Sequence, residues 1–211
     1  MKCNYLLCGL FLFLKPETHR IAYHIDPQSR FVVNGTSNVN KFRCICDDPF
    51  PAGQLLASVH PDNRSILFSQ AFLKIPAKGI DCSNRIMNRE LYRYIKAEEF
   101  PFIEIELIRA VPKGNQFLSE LTYNRSYFYE AETFIRLAGV KQSIPVSIEI
   151  VKLNSRQIQL IAHSNILMSR FRLKPKNMIQ LFKVRDQINI RFNLTVTLTE
   201  YKQLQSSVAG K

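Results

Sequence analysis

The sequence is poor in the residues from which most catalytic and metal sites are built. It has no Trp, four His and seven Gly among its 211 residues. None of the histidines stands in a His-Glu-x-x-His motif, and no Gly-x-Ser-x-Gly elbow, P-loop or Gly-x-Gly-x-x-Gly fingerprint is present. We therefore expect a protein that is not an enzyme and that holds neither a metal nor a cofactor.

Acidic residues are also scarce. Seventeen Asp and Glu stand against 29 Lys and Arg, which gives a formal charge of +12. The basic residues are spread along the chain, and no run of five or more like charges marks an arm that would grip nucleic acid. The aromatic residues are mostly Phe, which suits apolar burial better than base stacking. The sequence therefore predicts a charged soluble surface and no nucleic-acid partner.

Long apolar runs are absent except near the N-terminus. The run from Cys3 to Leu14 follows Lys2 and is too short to span a bilayer, so we expect a protein that is not transmembrane. One positive charge before such a run resembles a secretory signal, although the exit at 14–17 lacks a small-x-small cleavage pattern. Residues 1–16 are therefore interpreted as a signal-peptide-like segment of an exported protein. The alternative is an N-terminal segment of a cytosolic protein that is disordered or plugs the fold.

A strict alternation of polar and apolar residues runs from Gln187 to Thr199. Its even positions are all apolar and its odd positions are all polar. Only an extended strand places alternate side chains on opposite faces, so one face of this segment is buried and the other is wet. A long, half-wet strand is typical of an antiparallel sheet.

The rest of the chain repeats this character. About eight strands are separated by turn signals, and one short helix is predicted between Asn84 and Glu98. Strands do not alternate with helices, which argues against a parallel sheet. Strands this long tend to curl and close. We therefore predict an all-β fold, an antiparallel closed barrel of about eight strands with one short helix.

The inward alternates of three strand regions define a candidate cavity wall. They are Ile103, Ile105, Leu107, Val146, Ile148, Ile150, Ile190, Phe192, Leu194 and Val196. An apolar pocket with few polar groups suits an isoprenoid or acyl chain. The alternative is that these side chains fill a small barrel completely. Alternation alone favours the filled barrel.

Three cysteines lie beyond the N-terminal segment. Cys44 and Cys46 stand two apart on a predicted strand and share one face, while Cys82 follows a later strand. In an exported chain one of the first two can bridge to Cys82. We give Cys44 and Cys82 as the candidate disulfide, although the sequence does not fix the pairing. Zinc-ligand spacing is absent.

Four parts of the chain share a pattern with a known family: residues 29–31 with 35–42, residues 85–98 with 100–105, residues 135–144, and residues 171–175 with 184–190. Taken in this order, they resemble the YceI-like family of polyisoprenoid-binding, lipocalin-like barrels. Residues 29–31 with 35–42 resemble its opening hairpin, and residues 85–98 followed by 100–105 resemble its helix running into a "yP-x-I-x-F" strand. Residues 135–144 resemble its "LTI-x-GVT-x-x-V" segment, and 171–175 with 184–190 resemble a closing pattern. Arg136 and Lys141 stand where the motif has Thr. The Gly-x-Trp mark of true lipocalins is excluded by the lack of Trp.

The resemblance implies a barrel domain over residues 17–201, followed by a polar tail over 202–211. It also implies a non-enzymatic protein of the periplasm or cell envelope that binds an isoprenoid-like or other long-chain lipid. Basic side chains at a barrel mouth can hold a lipid phosphate, and Arg136 and Lys141 are the candidates. Such a protein can be membrane-peripheral, and long strand edges favour a homodimer. The alternative is a structural or interaction module of the envelope with a packed, ligand-free barrel.

Overall fold

A computed structural model describes residues 18–38, 40–60, 65–114, 121–173, 177–179 and 182–204. The signal-peptide-like segment predicted over residues 1–16 lies outside these ranges, as do residues 205–211 of the predicted tail.

Strands make up most of the described chain, and one α-helix interrupts them. The strands are β1 (Thr18–Ile25), β2 (Arg30–Thr36), β3 (Lys41–Cys46), β4 (Gly53–Val59), β5 (Ile66–Ser69), β6 (Phe72–Pro76), β7 (Phe102–Pro112), β8 (Ser126–Leu137), β9 (Val140–Lys152), β10 (Gln157–Leu167), β11 (Asn177–Ile179), β12 (Phe182–Lys183) and β13 (Gln187–Leu204). The helix is α1 (Arg85–Tyr94), and 3₁₀ turns cover Ala77–Gly79 and Met168–Phe171.

The strands close into an eight-stranded antiparallel barrel, which confirms the predicted fold class. The main sheet runs from β1 through β4, β5, β7, β8, β9 and β10 to β13, and β13 pairs back with β1. The β2–β3 hairpin is joined to the barrel because β2 also pairs with β13. Strands β5 and β6 both pair with β7, at successive positions along its length. Strand β13 is long enough to pair with β2 through its first half and with β1 through its second half.

Alternation decides which side chains face the barrel interior. Along β8, every second residue from Tyr127 to Leu137 is buried, and the residues between them are exposed or half-buried. Along β13, Ile188, Ile190, Phe192 and Leu194 are buried in the same way. The predicted strand over 187–199 is therefore confirmed, and its burial has a period of two as far as Leu194, after which residues 195–198 are all half-buried.

A two-residue turn joins β8 to β9 and marks one end of the barrel. Leu137 pairs with Val140, and Ala138 and Gly139 both have positive φ, 49° and 80°. Positive φ at both central residues is the type I′ pattern that matches strand twist in tight hairpins. A Cβ added at Gly139 would lie 2.5 Å from the ring of Phe100, so the close approach of Phe100 also requires glycine there.

Helix α1 begins where the sequence predicts and ends earlier. The Asn84 side chain caps it, since its Oδ1 accepts hydrogen bonds from the backbone N–H groups of Ile86 and Met87 at 3.0 Å. The predicted end near Glu98 is wrong, because the helix stops at Tyr94. The cause is the backbone of Lys96, whose φ of 55° lies in the left-handed region that ends helices.

Candidate functional site

Every residue predicted for the cavity wall packs in the barrel interior or against it. Ile103, Val146, Ile148, Ile190, Phe192 and Leu194 are buried core residues. Ile105, Leu107, Ile150 and Val196 are partly buried and pack against that core. The alternation thus predicts the direction of these side chains, while their contact with a ligand stays a prediction.

A small apolar cavity lies within this interior, at the end of the barrel that holds the β8–β9 turn. Its volume is about 60 Å³. It is lined by Phe31, Val33, Phe42, Cys44, Ile80, Leu91, Ile95, Ile103, Ile105, Ile135, Leu137, Ile166, Met168, Ile188 and Ile190. We call this the helix end, because Leu91 and Ile95 of the α1 segment form one side of the cavity.

Only three of the predicted wall residues, Ile103, Ile105 and Ile190, line the cavity. The others pack farther along the barrel, where Tyr127 and Tyr129 are almost completely buried at 2% and 1% exposure. Tyr127 pairs across the sheet with Ile150, and Tyr129 pairs with Ile148. We call this region the tyrosine end. Its two tyrosine rings are buried in the core, so the predicted wall divides into a part that lines the cavity and a part that packs in the core.

Side chains of α1 fasten it over the cavity. The Asn88 amide accepts a hydrogen bond from the backbone N–H of Cys82 at 2.8 Å and donates one to Asp81 at 2.7 Å. The Tyr92 hydroxyl donates to the carbonyl oxygens of Lys78 and Ile80. Because Asn88 stabilises its charged form, the pKa of the Asp81 carboxyl is lowered.

A further tie comes from the next turn of α1. The Tyr94 hydroxyl donates to the carbonyl oxygen of Leu173 at 3.1 Å. Burial raises the pKa of Tyr94 to about 12, and the negative charge of Asp186 acts in the same direction. This tyrosine therefore favours its neutral form more strongly in the folded protein than in the unfolded chain.

A disulfide between Cys44 and Cys82 joins β3 to the segment that leads into α1. The register explains why Cys44 is the partner. Ile45 and Asp81 form an antiparallel bridge through two 2.8 Å hydrogen bonds, which places Cys82 opposite Cys44. The same bridge places Ile80 opposite Cys46. Cys46 is a free, buried thiol whose pKa is raised, mainly by burial.

The two residues predicted to hold a lipid headgroup lie outside the barrel. Arg136 and Lys141 are opposite each other on β8 and β9, near the helix end. Arg136 forms an ion pair with Glu104 at 3.2 Å, and Lys141 forms one with Glu106 at 2.7 Å. Both basic groups thus already have acidic partners on the outer surface, away from the apolar cavity.

Sequence reasoning missed most of the cavity lining. Two signals for it were present. Leu91 and Ile95 belong to the apolar stripe of the helix, with Met87, and that stripe does face the core. Ile135 and Leu137 follow the alternation of β8. What the sequence lacked was the position of the helix relative to the barrel, which decides that these two sets meet.

No cluster of three or more His, Cys, Asp or Glu side chains suitable for a metal ion occurs within residues 18–204, leaving out the undescribed gaps. In the same part of the chain, no helix combines the length and apolarity required to cross a membrane.

Comparison with known proteins identifies the fold. No family model matches the chain, and no curated protein matches it. Among solved structures, a polyisoprenoid-binding domain from Saccharophagus degradans, implicated in plant cell wall breakdown, matches with a TM-score of 0.64 and 13% identity, over 84% of this chain and 99% of that one. BcnA of Burkholderia cenocepacia matches with a TM-score of 0.61 and 14% identity, over 81% and 98%. This chain therefore has the fold of these two proteins, the fold that the YceI-like resemblance implied.

Proposed function

We propose that this protein is a divergent, exported member of the YceI-like family and that it binds an isoprenoid-like lipid without catalysing a reaction. The observation that carries the proposal is the apolar cavity between α1 and the barrel. The likeness in fold to a polyisoprenoid-binding domain supports this choice of ligand. We place the binding site at the helix end, with Ile103, Ile105 and Ile190 as the wall residues that the sequence and the cavity share.

The cavity must enlarge before it accepts a long chain. Its volume is about 60 Å³, whereas pockets for small organic ligands measure roughly 300–1,000 Å³. Helix α1 is the element best suited to move, because side chains fasten it to its surroundings, whereas the strands are joined by continuous backbone ladders. We infer that the apolar chain enters by displacing the inner face of α1.

The test uses the natural absence of Trp. Leu91→Trp places an indole ring in the cavity, while Ile86→Trp places one on the exposed side of the same helix, where Ile86 is 54% exposed. Purified wild-type protein is expected to yield an isoprenoid-like lipid on organic extraction and mass spectrometry. We expect Leu91→Trp to carry at least about tenfold less, because the ring occupies the space. Ile86→Trp should carry as much as the wild type.

Two results would overturn this proposal. A wild-type protein that is stably empty and ignores an added isoprenoid quinone would show that the barrel is not a lipid carrier. Equal lipid content in Leu91→Trp and the wild type would place the lipid elsewhere.

The second candidate function is an envelope interaction module with a packed barrel. The small size of the cavity favours it, as do exposed aromatic side chains on the outer surface, among them Phe72, Phe102 and Phe128. This candidate predicts that extraction yields no lipid from any variant. A complex with a protein partner, lost on replacement of Phe72 and Phe102, would then be the supporting result.

A further inference from the structure

The outer face of α1 forms a groove that the lipid-binding proposal does not use. Its volume is about 540 Å³, and it shares no lining residue with the apolar cavity, which Leu91 lines. The lining side chains are Arg85, Asn88, Arg89, Tyr92, Arg93, Lys96, Glu98 and Glu99. Four of these are basic and two are acidic.

The basic side chains follow one line along the helix. Arg85, Arg89 and Arg93 are spaced four residues apart and share one face of α1, while Lys96 lines the same groove from the turn that follows the helix. At about 1.5 Å per residue, the rise from Arg85 to Arg93 is roughly 12 Å, and Lys96 lies beyond the end of the helix. We call these four residues the basic stripe.

The acidic neighbours neutralise only part of the stripe. Glu90 lies 3.4 Å from Arg93 and 3.9 Å from Arg89, and it is shared between them. Glu98 is bound to Lys78, which lies outside the stripe, at 2.6 Å. Among the described residues, no carboxylate lies within ion-pair distance of Arg85 or Lys96. The other acidic side chain of the groove, Glu99, opposes the positive charge of the stripe.

An exposed apolar side chain stands beside the stripe. Ile86 follows Arg85 directly and is 54% exposed, in the same turns of helix as Arg89 and Arg93. Helices that lie on anionic membrane surfaces combine basic side chains with apolar side chains at the headgroup level, and Ile86 supplies one such apolar side chain beside the stripe. Charge complementarity with lipid headgroups accounts for the basic stripe, and shallow insertion accounts for Ile86.

We propose that the outer face of α1 docks on an anionic lipid surface through Arg85, Arg89, Arg93 and Lys96, with Ile86 inserted at the headgroup level. The proposal does not require that the cavity hold a lipid. Where both proposals hold, docking places the movable side of the cavity against the membrane.

The experiment measures binding to sedimented vesicles. One set contains phosphatidylcholine with phosphatidylglycerol, and the other contains phosphatidylcholine alone. The double variant Arg85→Gln/Lys96→Gln removes the two stripe charges that lack an ion pair. Its matched control, Arg125→Gln/Arg156→Gln, removes two exposed charges that precede β8 and β10, at the tyrosine end of the barrel.

The expected result is binding to the anionic vesicles alone. Each surface cation contributes roughly a fivefold factor, so the stripe variant should bind about 25-fold more weakly. The control should bind within about twofold of the wild type if its charges lie away from the membrane. The single Trp of Ile86→Trp should shift its fluorescence to the blue on anionic vesicles, as it enters the interface.

Other outcomes overturn the proposal. Equal weakening in both double variants would assign binding to net charge rather than to this face. Full competition by inorganic diphosphate would identify a site for a small soluble anion instead. A protein that ignores anionic vesicles has no such docking face, whatever lipid its cavity carries. A protein that docks but yields no lipid on extraction would refute the proposed function and leave this inference standing.

Discussion

The interior of the barrel is occupied by different kinds of side chain at its two ends. At the tyrosine end, the large side chains of Tyr127 and Tyr129 come from the wall itself and are buried in the core. At the helix end, the wall contributes mainly Ile side chains, with Phe31 and Phe42 among the others, and the α1 segment covers the cavity from outside the sheet. Where the strands themselves supply the large core side chains, no separate element is available to move. At the helix end, the cavity provides space and α1 is a separate element that can be displaced.

Truncating one side chain at each end tests this contrast most strongly. Tyr129→Ala should lower the free energy of unfolding by about 3–5 kcal/mol, because it opens a large void among fixed strands. Leu91→Ala should cost only about 1–2 kcal/mol, since Leu91 is half-buried and already borders the cavity. Urea unfolding of both variants provides the measurement. Equal losses would mean that α1 is as firmly packed as the strands.

The helix end is also held by a disulfide, which links β3 covalently to the segment that leads into α1. This bond joins residues 38 positions apart, and closing a loop of that length restricts the unfolded chain enough to contribute about 3–4 kcal/mol. Urea unfolding with and without dithiothreitol should show this difference in the wild type. It should vanish in Cys44→Ala/Cys82→Ala and persist in Cys46→Ala. Loss of the reductant effect in Cys46→Ala would instead assign the bond to Cys46.

The barrel could be predicted from the sequence because the patterns that indicate it are local. Alternation in the region of Gln187 to Thr199 fixes which side chains face inward, and turn residues such as Ala138-Gly139 fix where strands reverse. These two signals are sufficient for an antiparallel closed barrel. The direction of the predicted wall residues followed from the same rule.

The candidate site was harder to predict because its contacts join residues that are far apart in the sequence. The cavity exists where the α1 segment meets strand ends, and no local pattern shows that Leu91 lies near Ile190. The choice of Cys44 over Cys46 depends on the bridge between Ile45 and Asp81, which is a pairing register rather than a sequence motif. Arg136 was assigned to a mouth by position alone, and its ion pair with Glu104 became visible only in three dimensions.

The smallest expected effect is a pH dependence at the helix end. The ordinary pKa of tyrosine is near 10, and burial raises the pKa of Tyr94 to about 12. The stabilisation from neutral Tyr94 is therefore complete below pH 10 and is lost as the pH rises through about 12, because the unfolded chain releases this proton first. Burial also raises the pKa of Tyr23 and Tyr129, so the wild type alone is not decisive. The difference in unfolding free energy between the wild type and Tyr94→Phe isolates Tyr94, and this difference should shrink over that pH window. A constant difference would mean that the hydroxyl bound to Leu173 does not hold α1 in place, and the contrast between the two ends would then rest on packing and the disulfide.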